Sequence, residues 1–139
     1  MHTVDHTTTD HAAAEAGLRR LLLADAAICA VSGIGLVVFR SPIADLVGRD
    51  STTALAAIGT FLAVLAIGLS SLARAHRRTM LRLTPWSAEG DLLWAAASLA
   101  VAAVASLNGT GRVLVLIQAV AVAGMGVAKL AGRRRALVS

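Results

Sequence analysis

Tyrosine is absent from this sequence, and two Phe and two Trp are its whole aromatic complement. Nucleic-acid surfaces interleave cations with planar side chains on which bases stack. The formal net charge of +5 therefore does not point to nucleic acid. A single cysteine, Cys29, excludes an intramolecular disulfide framework; inside an apolar run it behaves as a small hydrophobe. Charged residues are also scarce, 15% of the chain against about 25% in ordinary soluble domains.

What fills the sequence instead is Ala, Leu, Val and Gly, with 57% hydrophobic residues in 139. A single domain of that composition needs lipid rather than water around it. Small, smooth side chains let helices approach closely in a bilayer. The fold expected is all-α, a transmembrane four-helix bundle, with spans at residues 21–39, 54–73, 91–107 and 113–131. Each is near the 20 residues that cross a hydrocarbon layer of about 30 Å. A polar tail and lead-in helix occupy residues 1–18, and a basic tail occupies residues 132–139.

Taken in order, Met1 to His11 reads as a solvated tail. His2, Asp5, His6, Asp10 and His11 could ligate a metal there, but nothing in the sequence fixes their geometry. Thr9 or Asp10 caps a helix that carries Glu15 and Arg19 four apart and leads into the first span. After Arg40, Ser41 and Pro42 open a short surface helix with Ile43, Leu46 and Val47 as its apolar stripe, and Gly48 ends it. Asp50, Ser51 or Thr52 starts the second span, which carries no charge.

The basic stretch at residues 74–85 reads as a linker that Pro85 closes. The third span then begins near Ser87, with Trp86 anchored at the interface and Trp94 deeper and expected to pack inside. Asn108 to Arg112 is a Gly-rich turn without the Gly-Lys-Ser/Thr of a phosphate loop. Lys129, near the end of the last span, is expected to snorkel outward.

Three seams of small residues recur at helical spacing. Gly59, Ala63, Ala66 and Ser70 form the first, with Leu55, Leu62, Leu65, Leu69 and Leu72 turned toward lipid. Ser98, Ala102 and Ser106 form the second, and Gly124, Ala128 and Gly132 the third.

Charge orients the bundle. Ten cations (Arg19, Arg20, Arg74, Arg77, Arg78, Arg82, Lys129, Arg133, Arg134 and Arg135) fall on one side; Arg40, Arg49 and Arg112 fall on the other. The positive-inside rule then puts both termini in the cytoplasm, with the Arg-rich linker and tail facing anionic lipid headgroups. A weak internal repeat runs alongside this: Asp25 and Ser32 match Asp91 and Ser98 at one common offset. That is the pattern of two parallel hairpins.

The runs Leu23-Ala24-Asp25 with Ser32-Gly33, and Ala44-Asp45-Leu46-Val47-Gly48, then Trp94, Ser98 and Gln118, resemble a group of small four-span integral membrane proteins of actinomycetes. The resemblance covers residues 19–131 and implies a fold and a membrane location, with no activity attached. Where that group typically has Asn at the entry to the third span, this chain has Asp91.

Function divides into two classes. A structural or accessory protein, binding a second copy or a larger membrane complex through the small-residue seams, needs only those seams. A small cation or proton-coupled transporter or channel would use Asp25 and Asp91, with Ser32, Ser98 and Gln118 continuing a polar surface in a cytoplasm-facing cavity. Small multidrug exporters set their intramembrane acid in an aromatic pocket, which this chain lacks the residues to build. No span carries His and no nucleophile, metal or cofactor motif stands out, so neither an enzyme nor a cofactor is expected.

Overall fold

A computed structural model describes residues 6–47 and 52–138, with side chains from Asp10 onward. Among the described residues all regular structure is helical: α1 His6–Val38, α2 Arg40–Val47, α3 Thr52–Arg74, α4 Arg77–Val104 and α5 Gly109–Val138. Four of them, all except α2, are long and apolar enough to cross a membrane. The expected roles of Gly48, Asp50 and Ser51 lie outside the described residues.

The first departure from the sequence reading is at the N-terminus. The helix starts at His6, within the stretch read as a tail, and runs 33 residues without a break. The strong helix formers at residues 12–16 carry it forward, and Arg19 Nη2 meets Glu15 Oε1 at 2.8 Å one turn apart. The chain then turns at Phe39, whose N–H donates to the Gly35 carbonyl at 2.8 Å, and re-enters helix as α2. Pro42 sits in the first turn of α2, where a missing N–H leaves no bond unmade.

The second departure is larger. The basic linker shrinks to Ala75 and His76, with His76 extended at φ −56°, ψ 146°. From Arg77 the chain is helical straight through Pro85, so this proline lies inside α4 and does not close a linker. Ser87 is accordingly a mid-helix residue. An interior proline frees the carbonyl four residues back, here that of Leu81. Arg133 on α5 supplies the missing donor, its Nε lying 2.8 Å from the Leu81 oxygen. Thr84 Oγ1 also bonds the Met80 carbonyl at 2.7 Å.

Two antiparallel hairpins result, α1 on α3 and α4 on α5, and they meet chiefly along α1 and α5. In the first, Gly33 and Gly59 bring backbones together: a Cβ on either would lie 2.6 Å from the other's carbonyl oxygen. Gly59 and Ala66 are buried as the seam predicts, with Ala63 and Ser70 half-buried beside them. Leu62 and Leu69 do not face lipid; both are buried, because the interface is wider than a one-residue seam.

In the second hairpin Ser98 and Ala102 are buried and Ser106 is exposed. The third seam is displaced. Gly124 is exposed with open space around it, Ala128 is half-buried, and Gly126 makes the close approach, 3.1 Å from a built Cβ to the Ala88 oxygen. The hairpins are pinned at both ends. At the Arg-rich end Leu18, Leu22, Leu69, Ala73, Met80, Leu81 and Ala136 share one buried cluster. There Arg77 Nη2 donates to the Ala136 carbonyl at 2.8 Å, and Arg19 to that of Ala73. At the opposite end Asn108 caps α5 by accepting from the Gly111 N–H at 2.7 Å, while its amide donates to the Leu46 carbonyl on α2 at 2.8 Å.

Candidate functional site

Just beyond the apolar cluster, three helices bring ionisable groups together inside the bundle. Asp25 comes from α1, Asp91 from α4 and Lys129 from α5. The Lys129 Nζ lies 2.7 Å from Asp91 Oδ2, is hydrogen-bonded to Asp25 Oδ2, and lies 2.9 Å from Ser87 Oγ. An ammonium has three N–H donors, and here each has its own acceptor. Ser87 and Asp91 stand one turn apart on α4, so both present to the same cation. Cys29, one turn along α1, points its thiol at Asp25 Oδ1 over 3.9 Å.

Helix packing explains why the groups meet at this depth. Gly126 lies one turn before Lys129 and presses α5 against α4 at Ala88 and Asp91, where a Cβ would stand 3.2 Å from that of Asp91. The stem of Lys129 is thereby shut in. Its side chain is 0% exposed, against 10% for Asp25 and 9% for Asp91.

Two expectations change with this geometry. Lys129 does not snorkel to the headgroups: α5 continues to Val138, so Lys129 is nowhere near a helix end, and two carboxylates hold it inside. Asp25 and Asp91 do not face one another across an empty cavity; the cation between them belongs to the chain.

The other polar residues are partly brought in. Ser98, two turns from Asp91, is buried. Ser32 and Gln118 are exposed, although Ser32 repeats from Asp25 and Gln118 from Lys129 at helical spacings of seven and eleven. Neither touches the triad. Trp94 is half-buried, stacked on Phe61 with ring centroids 5.9 Å apart, and its buried Nε1 has no hydrogen-bond partner. Trp86 is 72% exposed.

Sequence reasoning missed Lys129 as a site residue, and Ser87 with it. One signal was available: it is the only lysine among 13 basic residues, a compact charge with three donors on a flexible stem where every other cation is a planar guanidinium. Among the described residues no group of three or more His, Cys, Asp or Glu is placed to hold a metal ion. No protein family, curated protein or solved structure matches the chain.

Proposed function

We propose that this chain is a multi-pass cell-membrane protein acting as a structural or accessory subunit, in which the Asp25–Lys129–Asp91 triad locks two hairpins into one rigid unit. The observation that carries this reading is the closed coordination of Lys129. All its donors are taken by the chain's own oxygens, and a foreign cation would have to displace an ammonium sealed from solvent. The locked unit then offers its remaining apolar faces, including the open side of α5 at Gly124, to a second copy or a larger membrane complex. The likeness to the actinomycete four-span group supports the same fold and location.

Charge supports an orientation as part of this proposal. Lys129 no longer counts as a headgroup cation, but nine arginines remain toward the end holding the residue 75–76 turn, against Arg40 and Arg112 toward the other and Arg49 in the sequence between α2 and α3. Both termini and that turn are then cytoplasmic. Reporters at Thr3, Thr79 and Ser139 should be reached only from the cytoplasm, and those at Asp50 and Gly109 only from outside. A cytoplasmic Gly109 would sink the arrangement.

A second reading, a proton- or cation-coupled transporter, is favoured by the arithmetic of the triad. Two carboxylates face one ammonium, so full ionisation leaves one uncompensated negative charge inside the membrane, which is costly. A proton or small cation reaching the partly open carboxylates would cancel it. Proteoliposome flux separates the readings. In a transporter, Asp25→Asn and Asp91→Asn each abolish a cation- or proton-driven flux while expression holds; in an accessory subunit there is no flux to lose, and only stability changes.

A further inference from the structure

The outward side of the α1–α3 hairpin is hollow. A groove of about 550 Å³ runs between the two helices, floored by small residues including Ala27, Ala30 and Ala63 and ended toward the turn at residues 75–76 by Ser70, Ser71 and Arg74. We propose that this groove binds an anionic phospholipid, one acyl chain lying along the alanines and the phosphate held at Arg74. The proposal rests on the membrane reading above and names one lipid site within it.

Three observations select this occupant. The first is length: Ala63 to Arg74 on α3 covers about 16 Å, and a single leaflet of hydrocarbon is about 15 Å deep. The groove is one leaflet long, and on the membrane reading its Arg74 end falls at the edge of the α3 span. The second is polarity along its axis. Its far end is walled by Ile34 and Ala63 and its near end by a guanidinium and two hydroxyls, the order in which a lipid presents chain and phosphate.

The third is what the polar end already does. Ser71 spends its hydroxyl on the Ile67 carbonyl at 2.9 Å. Among the described residues Arg74 forms no salt bridge and Ser70 no side-chain hydrogen bond, whereas Arg19, Arg77 and Arg133 are all engaged with the protein. Arg74 is thus a free cation at the mouth of an apolar hollow, and its complement is a phosphate with a hydrocarbon tail. A hollow left unfilled in the bilayer would forfeit dispersion contacts along both helices.

The test uses the full chain in vesicles of equal parts phosphatidylglycerol and phosphatidylcholine, extracted in mild detergent, with co-purified lipid counted per chain. Phosphatidylglycerol should be retained in preference. Arg74→Gln should lower that retention roughly fivefold, the factor expected of one cation at an anionic headgroup, and Arg78→Gln, an exposed cation outside the groove, should not. Ala27→Leu with Ala30→Leu fills the hollow from its open side and should remove the retained lipid altogether.

Equal losses from Arg74→Gln and Arg78→Gln would overturn the proposal in favour of diffuse surface charge. Full retention in the filled variant would overturn it as well. A lipid-free dimer that the filled variant converts to monomer would assign the groove to a second copy. If the filled variant fails to fold, short-chain phosphatidylglycerol serves instead: it should displace the bound lipid poorly, and displacement as effective as that of the long-chain form would leave no role for the groove. Failure of the membrane reading itself would appear separately, in the reporters at Gly109 and Thr79.

Discussion

The two hairpins use glycine contacts to different ends. In α1–α3 the backbone contact at Gly33 and Gly59 lies two turns from Asp25, and the outer face toward the Arg-rich end is hollow. In α4–α5 the contact at Gly126 falls one turn from Lys129 and directly on Asp91, so close packing there positions charge. The first hairpin is held by this backbone approach together with apolar side chains such as Leu18, Leu22 and Leu69; the second is held by an approach that also builds an ion-pair site. Small residues at four-residue spacing announce that helices approach, but not what the approach accomplishes.

Removing the charge on one side of the triad should have the largest effect. Lys129→Met leaves two carboxylates facing each other without a counterion and should cost about 3–5 kcal/mol, as breaking a buried pair does. Unfolding in mixed micelles would measure it. The triple variant Asp25→Asn, Lys129→Met, Asp91→Asn should recover most of the loss, since replacing all the charges removes the unpaired group. If the single and triple variants are equally unstable, the contribution of Lys129 is packing and not charge.

Glycine substitutions come next and address the first hairpin. Gly59→Leu puts a side chain where even Cβ would stand 2.6 Å from the Gly33 oxygen. The helices must separate, at about 1–3 kcal/mol or more. Gly124→Leu meets open space and should stay within about 0.5 kcal/mol for the single chain. An oligomer that falls apart with Gly124→Leu while the chain itself stays folded would locate the subunit contact on that face.

The smallest expected effect tests the proline. Arg133→Gln withdraws the donor from the Leu81 carbonyl and should cost on the order of 1 kcal/mol. In a Pro85→Ala background, where a backbone N–H can bond that carbonyl again, the same change should cost less. Additive losses in the double-mutant cycle would mean that Arg133 acts elsewhere.

Much of the architecture was legible in the sequence, because a bilayer leaves few options: runs of about 20 apolar residues must be helices. Asp25 and Asp91 stood out for the same reason, as did the Gly59–Ala66 seam. What could not be read was which partner faces each element. Gly33 and Gly126 look no different from Gly35 and Gly124 until a neighbouring helix selects between them. Pro85 reads as a helix stop because its rescue comes from Arg133, 48 positions later in the chain. Lys129 looked interfacial because Arg133 to Arg135 follow it, and only the continuation of α5 to Val138 moves it inward.

The lengths of the helices have a consequence for shape. At 1.5 Å per residue, the 33 residues of α1 and the 30 of α5 extend about 50 and 45 Å, against a hydrocarbon layer of about 30 Å. At one end Asn108 ties the α4–α5 turn to the end of α2, so the described helices stop close together there. The surplus therefore collects at the other end, where Glu15 lies 3.5 Å from Arg77 across the hairpin boundary. Imaged from the side, such a molecule would be nearly flush with one surface of the bilayer and stand about 15–20 Å proud of the other. That relief is high enough for atomic force microscopy to register and for a soluble protein to grip.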